Sequence, residues 1–222
     1  MTLSRVVSAF LAIDLLLVLG HATGIVLRGE PFVILNLDAE ANIPAWWSNA
    51  KFVVAGSLFL LTAASTRQRV LTPVVLGVLL FGLAADEIAS VHERIGHLLA
   101  DNVAADTQFR RKDAFLWPLL LGLPVIVLGA LALRALVGER FYSDVVWKRI
   151  GVALTVFFVG AVGVELVAFN PLVPIPQGSP IYQALAMLEE GLEHVGASLL
   201  VWGALAAFGE HFSPASASTG TS

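Results

Sequence analysis

No cysteine occurs among the 222 residues. That excludes disulfides and thiolate metal sites and leaves the redox compartment unread. Charge is also scarce, with Asp, Glu, Lys and Arg together at 14%, against roughly 25% in a soluble domain. A basic tract is missing as well. The net charge is −4, which gives no support to nucleic-acid binding. Neither a His-Glu-x-x-His zinc helix nor a convincing internal repeat is present. What the chain does contain is apolar. Hydrophobic residues make up 57% and mean hydropathy is +0.83, in blocks long enough to cross a bilayer.

Those blocks predict an all-α integral membrane bundle of six transmembrane helices, at about 5–27, 49–67, 71–99, 113–137, 149–169 and 180–209. At 1.5 Å per residue each suffices for a hydrocarbon core of about 30 Å. Residues 1–212 form one transmembrane domain, and the Ser/Ala/Thr/Gly-rich tail 213–222 is expected to be disordered. Arg5 precedes the first apolar stretch as in a signal peptide. The stretch is too long for one, carries Asp14 and lacks a cleavage site, so it is expected to stay as a span. Pro124 is expected to kink the fourth helix. An even number of spans places both termini on one side, with Arg5, Arg67, Arg69, Arg134, Arg140, Lys148 and Arg149. The other side carries Arg28, Lys51, Arg110, Arg111 and Lys112, diluted by acids. The positive-inside rule then predicts cytoplasmic termini in a bacterial inner membrane. Trp46, Trp47 and Trp117 are expected at the outer interface, Trp147 and Trp202 at the inner one.

Against this apolar background stand Asp14, His21, Asp86, Glu87, Ser90, His92, Glu93, Arg94, His97, Glu165, Glu189, Glu190, Glu193 and His194. An ionised side chain at the bilayer centre costs about 3 kcal/mol on insertion scales, so such residues are rarely accidental. Counted from the outer end of each span, most lie roughly 8–20 Å deep. A continuous third helix would align Asp86, Ser90, Glu93 and His97 in one stripe. Glu93/His97 and Glu190/His194 both have the i,i+4 spacing that points two side chains to one side. Arg94 counts as the only cation at this depth. The acids must then be protonated, neutralised by a bound cation, or reached by water.

Glu, Asp and His suit zinc, iron or manganese. The reading taken first is therefore a metal-dependent intramembrane enzyme, a hydrolase or oxidoreductase acting on a lipid-like substrate. Asp86, His97, Glu190 and His194 would be metal ligands, and Glu93 and Glu193 catalytic acids or bases. Asp14, His21, Glu87, Ser90, His92, Arg94, Glu165 and Glu189 would support them. The alternatives are a proton- or cation-coupled transporter, since Asp/Glu/His chains make proton relays, and a scaffold or assembly factor held by structural polar pairs. Haem ligation by the histidines is disfavoured by so many carboxylates. Glu189-Glu190 fails to complete the motif of the CAAX-type intramembrane proteases, because His194 stands where that motif has Arg.

The segment from Asn36 to Ser48, with Asp38, Glu40, Asn42, Pro44, Trp46 and Ser48 alternating, carries a closer likeness. So do Asp86-Glu87 followed by His92-Glu93, and Glu189-Glu190 in the last span. On these residues the chain resembles a family of uncharacterised bacterial multi-pass membrane proteins. The resemblance implies that the first outer loop belongs to the site, with Asp38, Glu40 and Asn42 as a lid. It also implies that a local helix distortion brings His92 round. Gly160, Gly163, Gly191 and Gly196 are expected to let helices five and six approach.

Overall fold

The computed structural model describes residues 3–66, 70–91, 94–95, 98, 118–168, 175–176 and 178–212. Six helices among them are long and apolar enough to cross a membrane. They are α1 (Leu3–Arg28), α2 (Ile43–Ser65), α3 (Leu71–Ala89), α4 (Pro118–Gly138), α5 (Asp144–Ala168) and α6 (Pro180–His211). One 3-10 turn, Val33–Leu35, lies between α1 and α2, and no strand occurs among the described residues. His92, Glu93, His97, Trp117 and the tail 213–222 fall outside the described residues.

Two helices start earlier than the hydropathy blocks suggest, and in each case a capping residue sets the start. Asn42 caps α2 by accepting from Ala45 N at 3.0 Å, with Pro44 in the first turn. The helix therefore begins at Ile43 rather than near 49, which carries Lys51 inward by two turns. Ser143 caps α5 in the same way, with Asp144 in its first turn. Asn42 also donates from Nδ2 to Asn36 O at 2.6 Å, so it ties the incoming loop to the cap. Asn42→Ala is expected to cost about 1 kcal/mol of stability, read as a lower melting temperature of the purified protein. An unchanged melting temperature would count against the cap.

The third helix does not run unbroken to 99. It ends at Ala89, and Ser90 adopts the left-handed conformation (φ 45°, ψ 46°). Helical bonding resumes beyond it, where Arg94 N donates to Ser90 O at 3.0 Å. A left-handed residue resets the helical phase. The single stripe expected through Asp86, Ser90, Glu93 and His97 is therefore interrupted at Ser90. In α4 the distortion near Pro124 is a π turn at Pro118–Gly122, just ahead of the proline. Proline lacks an N–H and crowds the preceding turn, which a wider turn relieves. A second π turn, Val159–Val164, interrupts α5.

Helix α6 packs against α1, α2 and α5, and α2 against α3. Phe52, Phe59, Ile150 and Leu200 fill the centre of this bundle. The outside is apolar. In α4 only Pro118, Gly122 and Leu136 are buried, and α1 exposes Ile13, Leu15, Leu16 and Leu19. Asp14, His21, Lys51 and His194 are instead buried completely or nearly so. An apolar exterior around a polar interior matches what a bilayer solvent demands.

Candidate functional site: a buried ion pair beneath an acid-lined cavity

Three helices bring one residue or pair each to a common point. Helix α1 contributes Asp14, α2 contributes Trp47 and Lys51 at i,i+4, and α6 contributes His194 and Ser198 at i,i+4. Lys51 Nζ donates to Asp14 Oδ1 at 2.9 Å, to His194 O at 2.7 Å and to His194 Nδ1 at 3.1 Å. An ammonium has three N–H donors, so all are used. Asp14 is equally occupied: Oδ1 also accepts from Trp47 Nε1 at 2.8 Å, and Oδ2 accepts from Ser198 Oγ at 2.5 Å. With Lys51 at 0% and Asp14 at 2% exposure, this is a buried pair whose lone pairs and protons are met. Such pairs are tolerated only when so completed.

Lys51 corrects the charge balance drawn from sequence. A second span over 49–67 places Lys51 at its outer edge, which leaves Arg94 as the only cation at depth. Among the described residues the buried cation is Lys51, and the Arg94 side chain is exposed. Trp47 is corrected with it, since its indole points inward to Asp14 rather than serving only as an interface anchor. Trp147 is likewise core, at 7% exposure. The signals for Lys51 were present: the Asn42-x-Pro44 start of α2, and a Trp/Lys pair spaced to share a face with a partner for Asp14.

Above this network lies a cavity of about 610 Å³. Its wall includes eight carboxylate residues: Asp38, Glu40, Asp86, Glu87, Glu165, Glu189, Glu190 and Glu193. His194, Tyr182, Phe157 and Phe158 complete the polar and aromatic part, with Leu83, Val125, Ala161 and Val162 among the apolar part. Asp86, Glu87, Glu165, Glu189, Glu190 and Glu193 are half-buried, while Asp38 and Glu40 on the loop are exposed. The α5 π turn supplies Ala161 and Val162 to this wall, and the α3 break lies at its edge. There Ser90 Oγ donates to Glu40 and fastens the loop to the end of α3. Of the three expected lid residues, Asp38 and Glu40 line the cavity, whereas Asn42 is the cap of α2. Glu189, expected only in a supporting role, also lines it.

His21 is buried but belongs to another contact. Its Nδ1 accepts from Leu37 N at 2.9 Å and pins the loop to α1. Gly24 permits the same return, because a Cβ there would meet Phe32 N at 2.5 Å. Of the expected metal ligands, Asp86, Glu190 and His194 share the cavity, and His97 lies outside the described residues. Among the described residues, no three His, Asp or Glu side chains gather in a group able to hold a metal ion. The reason at His194 is visible, since an ammonium already faces its Nδ1. Of the expected catalytic pair, Glu193 lines the cavity and Glu93 is outside the described residues.

No curated protein and no solved structure matches the chain. One family does, and its match extends over residues 6–208, from the first helix to the end of the last. The whole of the ion-pair network and the cavity wall lies inside that range, and the chain belongs to the family described as Domain of unknown function (DUF8692).

Proposed function

We propose that the chain crosses a bacterial inner membrane six times with cytoplasmic termini, and that its outer cavity binds a cation in exchange for protons, as in a proton- or cation-coupled transporter. One observation carries this reading: eight carboxylate residues surround one cavity, and none of the described residues lining it is Lys or Arg. Lys51 is not part of that lining and donates instead to Asp14 and His194. Carboxylates lining one cavity favour a cation or protons within it. Cation and protons compete for the same oxygens, so binding one releases the other. The cavity is also within the size range of small-molecule sites.

A metal-dependent hydrolase or oxidoreductase acting on a lipid-like substrate would draw on the same acids. It would also need His194 to serve a metal, and the Lys51 charge at 3.1 Å from Nδ1 opposes a second cation there. We therefore place transport first.

The test uses the full chain in lipid nanodiscs in weak buffer with a pH dye, titrated with Ca²⁺, Mn²⁺ and tetramethylammonium. At least one cation is expected to bind and to release protons. The double variant Glu190→Gln/Glu193→Gln is expected to weaken that binding about tenfold, or about 1.4 kcal/mol. If none of the three cations bound or released protons, the proposal would be overturned.

A further inference from the structure

A second, smaller cavity of about 260 Å³ lies at the other end of the bundle. Phe141 and Tyr142, in the turn between α4 and α5, line it together with Glu210 and His211 from the last turn of α6. Glu210 stands about 25 Å along α6 from Glu193 of the acid-lined cavity, at 1.5 Å per residue. Three of the four lining side chains are rings, and they meet as a corner. Phe141 is nearly parallel to His211, at 19° with centroids 6.3 Å apart, and nearly perpendicular to Tyr142, at 88° and 4.7 Å.

Glu210 is the fourth wall. Its carboxylate accepts from Ser143 N at 3.2 Å and from Ser143 Oγ, so the residue that caps α5 holds it beside the rings. Both donors are neutral. Among the described residues, no Lys or Arg pairs with Glu210 or stacks on these three rings. Tyr142 is 6% exposed, and its hydroxyl has no hydrogen-bond partner among the described residues. Buried polar groups are ordinarily paired, so an unpaired one on a cavity wall points to a ligand.

We propose that this corner binds an alkylated ammonium group of the choline kind. Ring faces are electron-rich, and a methylated ammonium gains at each face while its methyl groups are buried. The carboxylate beside the rings adds a full opposite charge. A hard metal ion takes about six or more oxygen ligands, and this wall offers one carboxylate. An anion would be repelled by Glu210 and by the ring faces alike. The volume falls just below the range of about 300–1,000 Å³ typical of drug-sized ligands, so it suits a single headgroup. That ammonium belongs either to a free solute or to a lipid headgroup at the same end of the helices. The site stands on its own geometry and does not rest on the cation reading of the outer cavity.

The test uses the full chain with ¹³C-labelled histidine in nanodiscs of phosphatidylglycerol, a lipid without an ammonium. They are titrated with choline and with its neutral isostere, in which carbon replaces the ammonium nitrogen. Choline is expected to bind about tenfold more tightly than the isostere. Its methyl protons are expected to give nuclear Overhauser contacts to the His211 ring, assigned by the signals lost in His211→Asn. Phe141→Leu is expected to weaken choline about threefold to tenfold, and Phe141→Tyr, which keeps the ring, to bind as wild type does. The isostere comparison and the contacts in wild type decide the matter even if Phe141→Leu does not fold. With phosphatidylcholine added to the discs, an unchanged choline affinity assigns the site to a free solute. A weakened affinity, with contacts from the lipid's own methyl groups to His211, assigns it to a headgroup. Equal binding of choline and the isostere, contacts to His194 in place of His211, or no contact to His211 from either choline or phosphatidylcholine would each overturn the proposal.

Discussion

Lys51→Met is expected to destabilise the protein by about 3–5 kcal/mol, the usual cost of stranding one member of a buried ion pair. The substitution leaves Asp14, at 2% exposure, without its ammonium partner and with only the Trp47 and Ser198 donors. It also removes the donor from His194 Nδ1 and His194 O. Met fills nearly the same volume, so packing changes little and the loss is electrostatic. The double variant Asp14→Leu/Lys51→Met is expected to recover most of the stability, because neither charge remains to be desolvated. Unfolding equilibria of the purified protein in mixed detergent would give both values. A Lys51→Met protein as stable as wild type would mean that the ammonium does not hold the three helices together. The same comparison separates the pair from the cavity: the double variant keeps every carboxylate of the wall and loses the group that His194 answers to.

The pair was hard to see in the sequence for a definite reason. Helix number and course follow from apolar runs, and the six helices lie where those runs are. Helix ends are set instead by caps, each a matter of one or two side chains. Placing the start of α2 near 49 put Lys51 at the membrane edge, where a lysine needs no partner. Asn42 and Pro44 were the signal that moves it inside. The acids of the cavity were legible because α6 is regular from Pro180 to His211, so phase counting holds along it. Phase counting fails across Ser90, whose left-handed backbone no periodicity announces, and across the π turn of α5. Asp14 was legible as a buried acid, but its role depended on a helix 37 residues away in sequence.

Gly196→Ala is expected to be the most damaging single-methyl addition at the junction of α5 and α6, costing about 1–3 kcal/mol as overpacking does. Alanine would ordinarily favour a helix over glycine by about 1 kcal/mol, so the sign depends on space. A Cβ at Gly196 would lie 2.6 Å from Phe157 N and 2.7 Å from Phe157 Cα. These are backbone atoms, which no rotamer change can move, so α5 and α6 must separate. Gly160 is the reciprocal contact, since a Cβ there would meet Glu189 O at 2.7 Å. Not every glycine expected at this junction serves it. Gly163 has only Val159 of its own helix at 3.9 Å, and Gly191 faces Val18 of α1 at 3.7 Å. Alanine at either position is expected to be neutral or slightly stabilising, which makes Gly163→Ala the control. The consequence of Gly196→Ala reaches the site, because His194 and Ser198 flank it on α6 and hold Lys51 and Asp14 by contacts of 2.5–3.1 Å. Moving α6 away from Phe157 shifts both residues against α1 and α2, so the variant should lose cation affinity together with stability. Unfolding and binding measured on the same preparation would test this, and a Gly196→Ala protein matching Gly163→Ala in both would show that α5 and α6 are not in contact at that point.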